Sequence, residues 1–202
     1  MNRPVHLALR DACTERAVEM LSLPMHPLGT EERIAHVDRV IALLRMSTQH
    51  ARLAARSARA GERERDFLHF LRLTLQHVES VYALIQNQAH MESREHSFLT
   101  KFLSVGMQEV SLTAINYRRQ AEDMLEGLWH VLRLSSAPYR ELQQANFTEL
   151  SKSEQERYHR ARAGVQEELS AGALPTFPET GPEPLIRNAA PPPPSGTAEF
   201  SI

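Results

Sequence analysis

The sequence is poor in everything that loops, sheets and reactive centres are built from. A single cysteine, Cys13, excludes an internal disulfide and gives no sign of an oxidising compartment. Eight glycines in 202 residues leave little of the permissive backbone on which binding and catalytic loops turn. Aromatic residues make up only 6%, so leucine and alanine must fill any core. Lysine is nearly absent, with Lys101 and Lys152 the two examples, and arginine carries the positive charge. The net charge of -2 removes any global pull toward nucleic acid or an anionic membrane. No run approaches the roughly 18 apolar residues of a membrane helix. Met1 to Leu9 holds no signal-peptide core before Arg10 and Asp11 interrupt it. G-x-S-x-G, a Gly-rich phosphate loop, C-x-x-C and H-E-x-x-H are all missing. The expectation is a cytoplasmic protein, not an enzyme, without membrane insertion, cofactor or bound metal. Export by a route without a cleaved signal peptide stays open.

What the chain does contain is apolar residues at helical spacing. Leu99, Leu103, Gly106, Val110, Ala114, Tyr117, Ala121, Met124, Leu128 and Val131 follow one another at steps of three and four. That keeps them on one side of a helix for about nine turns. A helix from His96 to Ser135 would be about 60 Å long and could not cover such a stripe alone, so it requires partner helices.

Before it, Leu7 to Leu21 reads as a short helix ending at Pro24 and Pro27, with Cys13 a buried small hydrophobe on its apolar face. Thr30 is a good N-cap, with Glu31 and Glu32 in the first turn, for a helix reaching about Ala60. Its face passes from large residues (Ile34, Val37, Ile41, Leu44) to Ala51, Ala55 and Ala58, so a neighbour can approach the second half more closely. Glu62 to about Met91 carries Phe67, Leu71, Val78, Val81 and Ile85 and is apolar around much of its girth. Nothing between Gln86 and Ser97 breaks a helix outright. A tight connection is nevertheless expected near Met91 to Arg94, where the apolar residues thin out, rather than one rod of roughly 110 Å.

Ser136 and Pro138 open a further helix. Ser151 with Glu154 forms a candidate capping box for the next. That helix, 153–170, has only Tyr158, Ala161, Val165 and Leu169 spaced for contact, so it is expected to pack weakly or to project. From Ala173 the prolines exclude regular structure, and the run Pro191 to Pro194 favours polyproline II; a disordered tail is expected there.

The expected organisation is thus all-α. An N-terminal helix and linker (1–29) precede an antiparallel bundle of long helices with coiled-coil-like packing (30–136). A helical segment (137–172) and a Pro-rich tail (173–202) follow.

Two surface patterns bear on function. Arg45, Arg52, Arg56, Arg59 and Arg63 are spaced to share one helix face, and no acidic residue lies between Asp38 and Glu62. Such a row could meet an acidic protein partner or track phosphates. It lacks the interleaved aromatics of a base-stacking surface. Ala51, Ala55 and Ala58, and the thin seam of Tyr158, Val165 and Leu169, are the expected docking places for a partner or a second copy.

The carboxylate–histidine pairs Glu92–His96 and Glu126–His130 are one residue too widely spaced for the Glu-x-x-His of di-iron bundles. They also lie 34 residues apart, roughly 50 Å along a helix, so they cannot share a metal within one chain. His69, His77 and His130 read as packed interface histidines. The terminal Glu199 to Ile202 alternates apolar residues in a way a carboxylate-binding groove accepts, but four residues carry little information. The function expected is a non-enzymatic helical interaction protein, an adaptor or assembly component. The alternative is a nucleic-acid-binding accessory bundle using the arginine row.

Overall fold

The computed structural model describes residues 3–25, 27–56, 61–99 and 105–174, with the side chains at 62 and 94–110 outside the description. Within these residues the chain forms six helices and no strand: α1 (Arg3–Leu21), α2 (Thr30–Arg56), α3 (Glu62–Leu99), α4 (Val105–Leu134), α5 (Ser136–Thr148) and α6 (Lys152–Ser170). The all-α architecture is the expected one. The prolines of the tail from Pro175 onward, and Lys101, Leu103 and Ala58, lie outside the described residues.

Helix α1 differs most from its sequence reading. It begins at Arg3 with Pro4 in the first turn, and it runs through the centre of the molecule rather than across a finished bundle. Leu7, Ala8, Leu9, Ala12, Cys13 and Ala17 are covered almost completely, and so are the polar His6, Arg10, Asp11 and Thr14. Helices α2 and α6 pack along it, and α4 and α5 close the remaining sides. From Pro4 to Thr14 nearly every position is covered, and Glu15, Arg16 and Glu19 in the second half reach solvent, so the pattern lacks the one-sided stripe of a peripheral helix.

The long helices then run antiparallel. His50 of α2 meets His6 and Ser47 meets Thr14, while His36 lies by the Met20 carbonyl at the other end. Arg45 reaches Glu79 of α3, and Thr30 donates to Glu92. Helix α4 returns beside α3 and is tied to α2 by Arg33 and Glu122 at 3.3 Å. The expected break near Met91 to Arg94 falls later. Helix α3 continues to Leu99 and α4 begins at Val105, with residues 100–104 outside the described residues. Residues 96–99 therefore belong to α3, not to the helix that carries Ala121 and Leu128, and a single rod is excluded. Since Thr30 at the start of α2 pairs with Glu92, residues 93–99 extend past α2.

Helix α6 packs along α1 instead of projecting. It opens with the expected capping box, Ser151 and Glu154 bonding reciprocally. It closes at Gly172, whose positive φ of 83° lets the Ala173 N–H reach the Glu168 carbonyl. The Arg39 guanidinium on α2 donates to the Gly172 carbonyl and ties the C-terminus of α6 to α2. One apolar cluster joins α1 to α6 through residues such as Leu9, Leu44, Leu71, Ile85, Leu128, Leu142 and Val165. A smaller one holds Leu7, Ala8, Ala54, Leu150 and Tyr158 at the opposite end of α1.

Candidate functional site

The densest polar constellation is built on α1. Asp11 is 1% exposed, and both its oxygens are occupied: Oδ1 accepts from Arg10 Nε at 2.7 Å and from the Tyr139 hydroxyl at 3.2 Å, and Oδ2 accepts from the Tyr158 hydroxyl at 2.8 Å. Arg162 of α6 donates to the Tyr158 oxygen and grips both oxygens of Glu15, at 2.7 and 2.8 Å. Gln143 of α5 bridges the Tyr139 oxygen and Glu15. Each charge thus has a counter-charge. Burial is the largest influence on Arg10 and works against its charge, but the Asp11 charge and hydrogen bond together with the Tyr139 and Tyr158 oxygens outweigh it and hold the pKa above the usual arginine range. Burial, with Asp11 adding to it, pushes both tyrosines up, so they remain donors. Arg10 also lies over the Phe67 ring, 5.3 Å from its centroid, while its Nη2 is buried without a hydrogen-bond partner. With every Asp11 acceptor taken by this chain's own donors, the cluster works as a clasp joining α1, α5 and α6.

A second buried polar pair joins α1 to α2. His6 and His50 bring their Nδ1 atoms to 3.0 Å, with both residues nearly covered. Burial lowers both pKa values, that of His50 to about 4. Two neutral rings satisfy the contact, one donating from Nδ1–H and the other accepting. Among the described residues no group of three or more His, Cys, Asp or Glu is placed to hold a metal.

The surface offers concave ground between α3, α4 and α5. Phe70, Phe67 and Tyr139 form a ladder of rings, with centroids 6.3 and 4.9 Å apart. On one side of this ladder a crevice of about 350 Å³ is bordered by Arg63, Asp66, Ser135, Pro138 and Glu141. On the other, one of about 380 Å³ reaches Val18, Leu132 and Arg140. An apolar groove of about 540 Å³ continues from Phe70 along the α3–α4 seam, past Leu73, Met124 and Val131. Further out, Leu112 and Ile115 on α4 are 60% and 57% exposed, and Leu134 is 81% exposed.

The residues singled out in the sequence do not gather into one place. Arg45 is paired with Glu79 at 2.8 Å, and Arg52 and Arg56 are exposed on α2. Arg59 lies outside the described residues, and Arg63 belongs to α3, because α2 ends at Arg56. The four described members are split between two helices, so they do not share one helix face.

Ala51 is buried in the core and Ala55 half-buried. Tyr158, Val165 and Leu169 are buried too, their seam covered by α1 of the same chain. His69, His77 and His130, read as packed histidines, are exposed. The packed ones are His6 and His50. Cys13 is fully buried, as expected, and burial pushes its thiol up to about 12.

What the sequence reading passed over is the Asp11 clasp. Its signal was present: Arg10 and Asp11 stand between Leu7-Ala8-Leu9 and Ala12-Cys13, and a charge pair inside so apolar a helical run must be buried and partnered.

Comparison with known protein families, characterised proteins and solved structures finds no match to this chain. No described helix is long and apolar enough to cross a membrane.

Proposed function

We propose that this protein is a non-enzymatic interaction module that takes up a helical partner, or a second copy of itself, on the outer surface of its α3–α4 hairpin. The observation that carries the reading is the exposure of large aliphatic side chains there. Leu112, Ile115, Val131 and Leu134 on α4 and Leu73 on α3 are all at least half exposed. The carboxylates of Asp11 and Glu15 and the His6–His50 pair, in contrast, are engaged by this chain's own side chains. Single exposed leucines are ordinary, but several along one hairpin, beside an apolar groove, fit helix-in-groove recognition.

The test is retention. A tagged full-length chain and its Leu112→Glu/Ile115→Glu variant are each incubated with untagged chain and, separately, with extract of the native host. Both substituted positions are exposed, so the fold is retained and circular dichroism should be unchanged. The expected result is a protein retained by the parent and lost by the variant, with binding weakened more than about tenfold, as for loss of central apolar anchors. Identical retained sets would contradict the reading. The alternative, nucleic-acid binding, rests on Arg52 and Arg56, and it predicts salt-sensitive filter binding that disappears when both become Glu.

A further inference from the structure

We infer that the crevice beside the Phe70–Phe67–Tyr139 ladder is the seat of this chain's own proline run, Pro191 to Pro194. This surface is distinct from the Leu112–Ile115 face, and the inference does not depend on the function proposed above. Four consecutive prolines hold φ near −65° and favour polyproline II, whose carbonyls have no internal partners. Sites for that conformation are grooves paved with aromatic rings and edged by hydrogen-bond donors.

The crevice has this make-up. Half-buried Phe70 and Tyr139 supply the accessible ring surface with buried Phe67 behind them, Pro138 adds apolar wall, and Arg63 and Ser135 stand at the rim as donors. In a chain with 6% aromatic residues, three rings in one ladder are a large share of what is available. The charges also favour it: on the crevice edge Asp66 and Glu141 outnumber Arg63, so the edge is net acidic and opposite in sign to Arg187 just before the run.

Reach is sufficient. The described chain ends at Leu174, two residues beyond the Gly172–Arg39 contact, at the end of the molecule where α1 finishes. The ladder lies level with Asp11, which Tyr139 contacts, ten residues below Leu21 along α1, or about 15 Å. The 17 residues from Leu174 to Pro191 span up to about 50 Å in polyproline II, enough to descend that distance and pass around α6. Bound in this way, the run would shield Phe67 and Tyr139, the wall in front of the Arg10–Asp11 clasp.

The experiment places a nitroxide on Ser195→Cys in the full chain and records amide spectra of the isotope-labelled protein. Cys13 does not compete for the label, since it is fully buried with a thiol pKa of about 12. The expected result is selective loss of signals at Asp66, Phe67, Phe70 and Tyr139, regained when Pro191, Pro192, Pro193 and Pro194 are all replaced by Ser in the labelled chain. Mixing spin-labelled, unenriched chains with enriched, unlabelled ones should leave the signals intact. Three results would each overturn the inference: no selective loss, loss that survives the proline replacements, or loss transmitted only between chains.

Discussion

Asp11 shows what a single side chain does for this fold. Its carboxylate is buried beside Arg10 and accepts from hydroxyls on α5 and α6. Asp11→Ala would strand a buried guanidinium that already has one unpartnered nitrogen. The expected loss is about 3–5 kcal/mol in urea unfolding, the usual cost of breaking a buried pair from one side. Tyr158→Phe removes one hydroxyl and should cost less, about 1–2 kcal/mol. Equal losses from the two would mean that the carboxylate is not the hub.

The histidine pair gives a pH signature. Unfolded histidines titrate near 6.5, whereas His50 is lowered to about 4 and His6 is lowered as well. Between those values the unfolded chain binds more protons, so this contribution is complete above about pH 6.5 and is lost as pH falls toward 4. The loss should be on the order of 2 kcal/mol. Urea midpoints at pH 7 and pH 5.5 should show the decline, and His50→Gln should flatten it. A midpoint that rises on acidification would contradict the assignment.

Apart from the adjacent Arg10 and Asp11, none of these polar residues advertises its partner in sequence. Tyr139 and Tyr158 stand 128 and 147 positions from Asp11, and no local spacing links such distant groups.

Among elements, the long peripheral helices were legible because a one-sided stripe is a direct image of one-sided burial. Val37, Ile41 and Leu44 on α2, and Leu71, Val78 and Ile85 on α3, all point inward as their spacing demands. The same logic fails for α1, where cover around almost the whole of 4–14 erases the stripe and polar residues inside it are satisfied by distant partners. It fails again at the end of α3. The stripe's phase continues unbroken through 92 and 96, so periodicity alone could not show that α3 runs on to Leu99.

The α6 capping box was readable because Ser151 and Glu154 are neighbours in sequence, and Ser151→Ala should cost about 1 kcal/mol. Two helical glycines offer the opposite sign. A Cβ at Gly127 or Gly164 would meet nothing within 4 Å. Gly127→Ala and Gly164→Ala should each raise the unfolding free energy by about 0.5–1 kcal/mol. A destabilised Gly127→Ala would mean that this groove position is already filled by something in solution.

At the scale of the whole molecule, α2 and α6 pack along α1, α3 packs on α2 and α4, and the α3–α4 hairpin reaches past the start of α2. Docking was expected on the alanine end of α2 and the seam of α6, but Ala51, Tyr158, Val165 and Leu169 are used internally. A thin apolar seam looks alike in sequence whether its cover comes from the same chain or from another. Leu112 and Ile115 could not be singled out for the converse reason: in a helix as apolar as α4, outward aliphatics differ from inward ones only in phase. The proposed working surface is therefore a property of the assembled fold.

The measurement that addresses this most directly is hydrogen–deuterium exchange of the full chain, free and loaded with the protein it retains. The account predicts slower exchange in 111–117 and 130–134 of α4, with α6 and the Arg52–Arg56 turn of α2 unchanged. Slowing confined to that α2 turn, or to α6, with α4 unaffected, would contradict it.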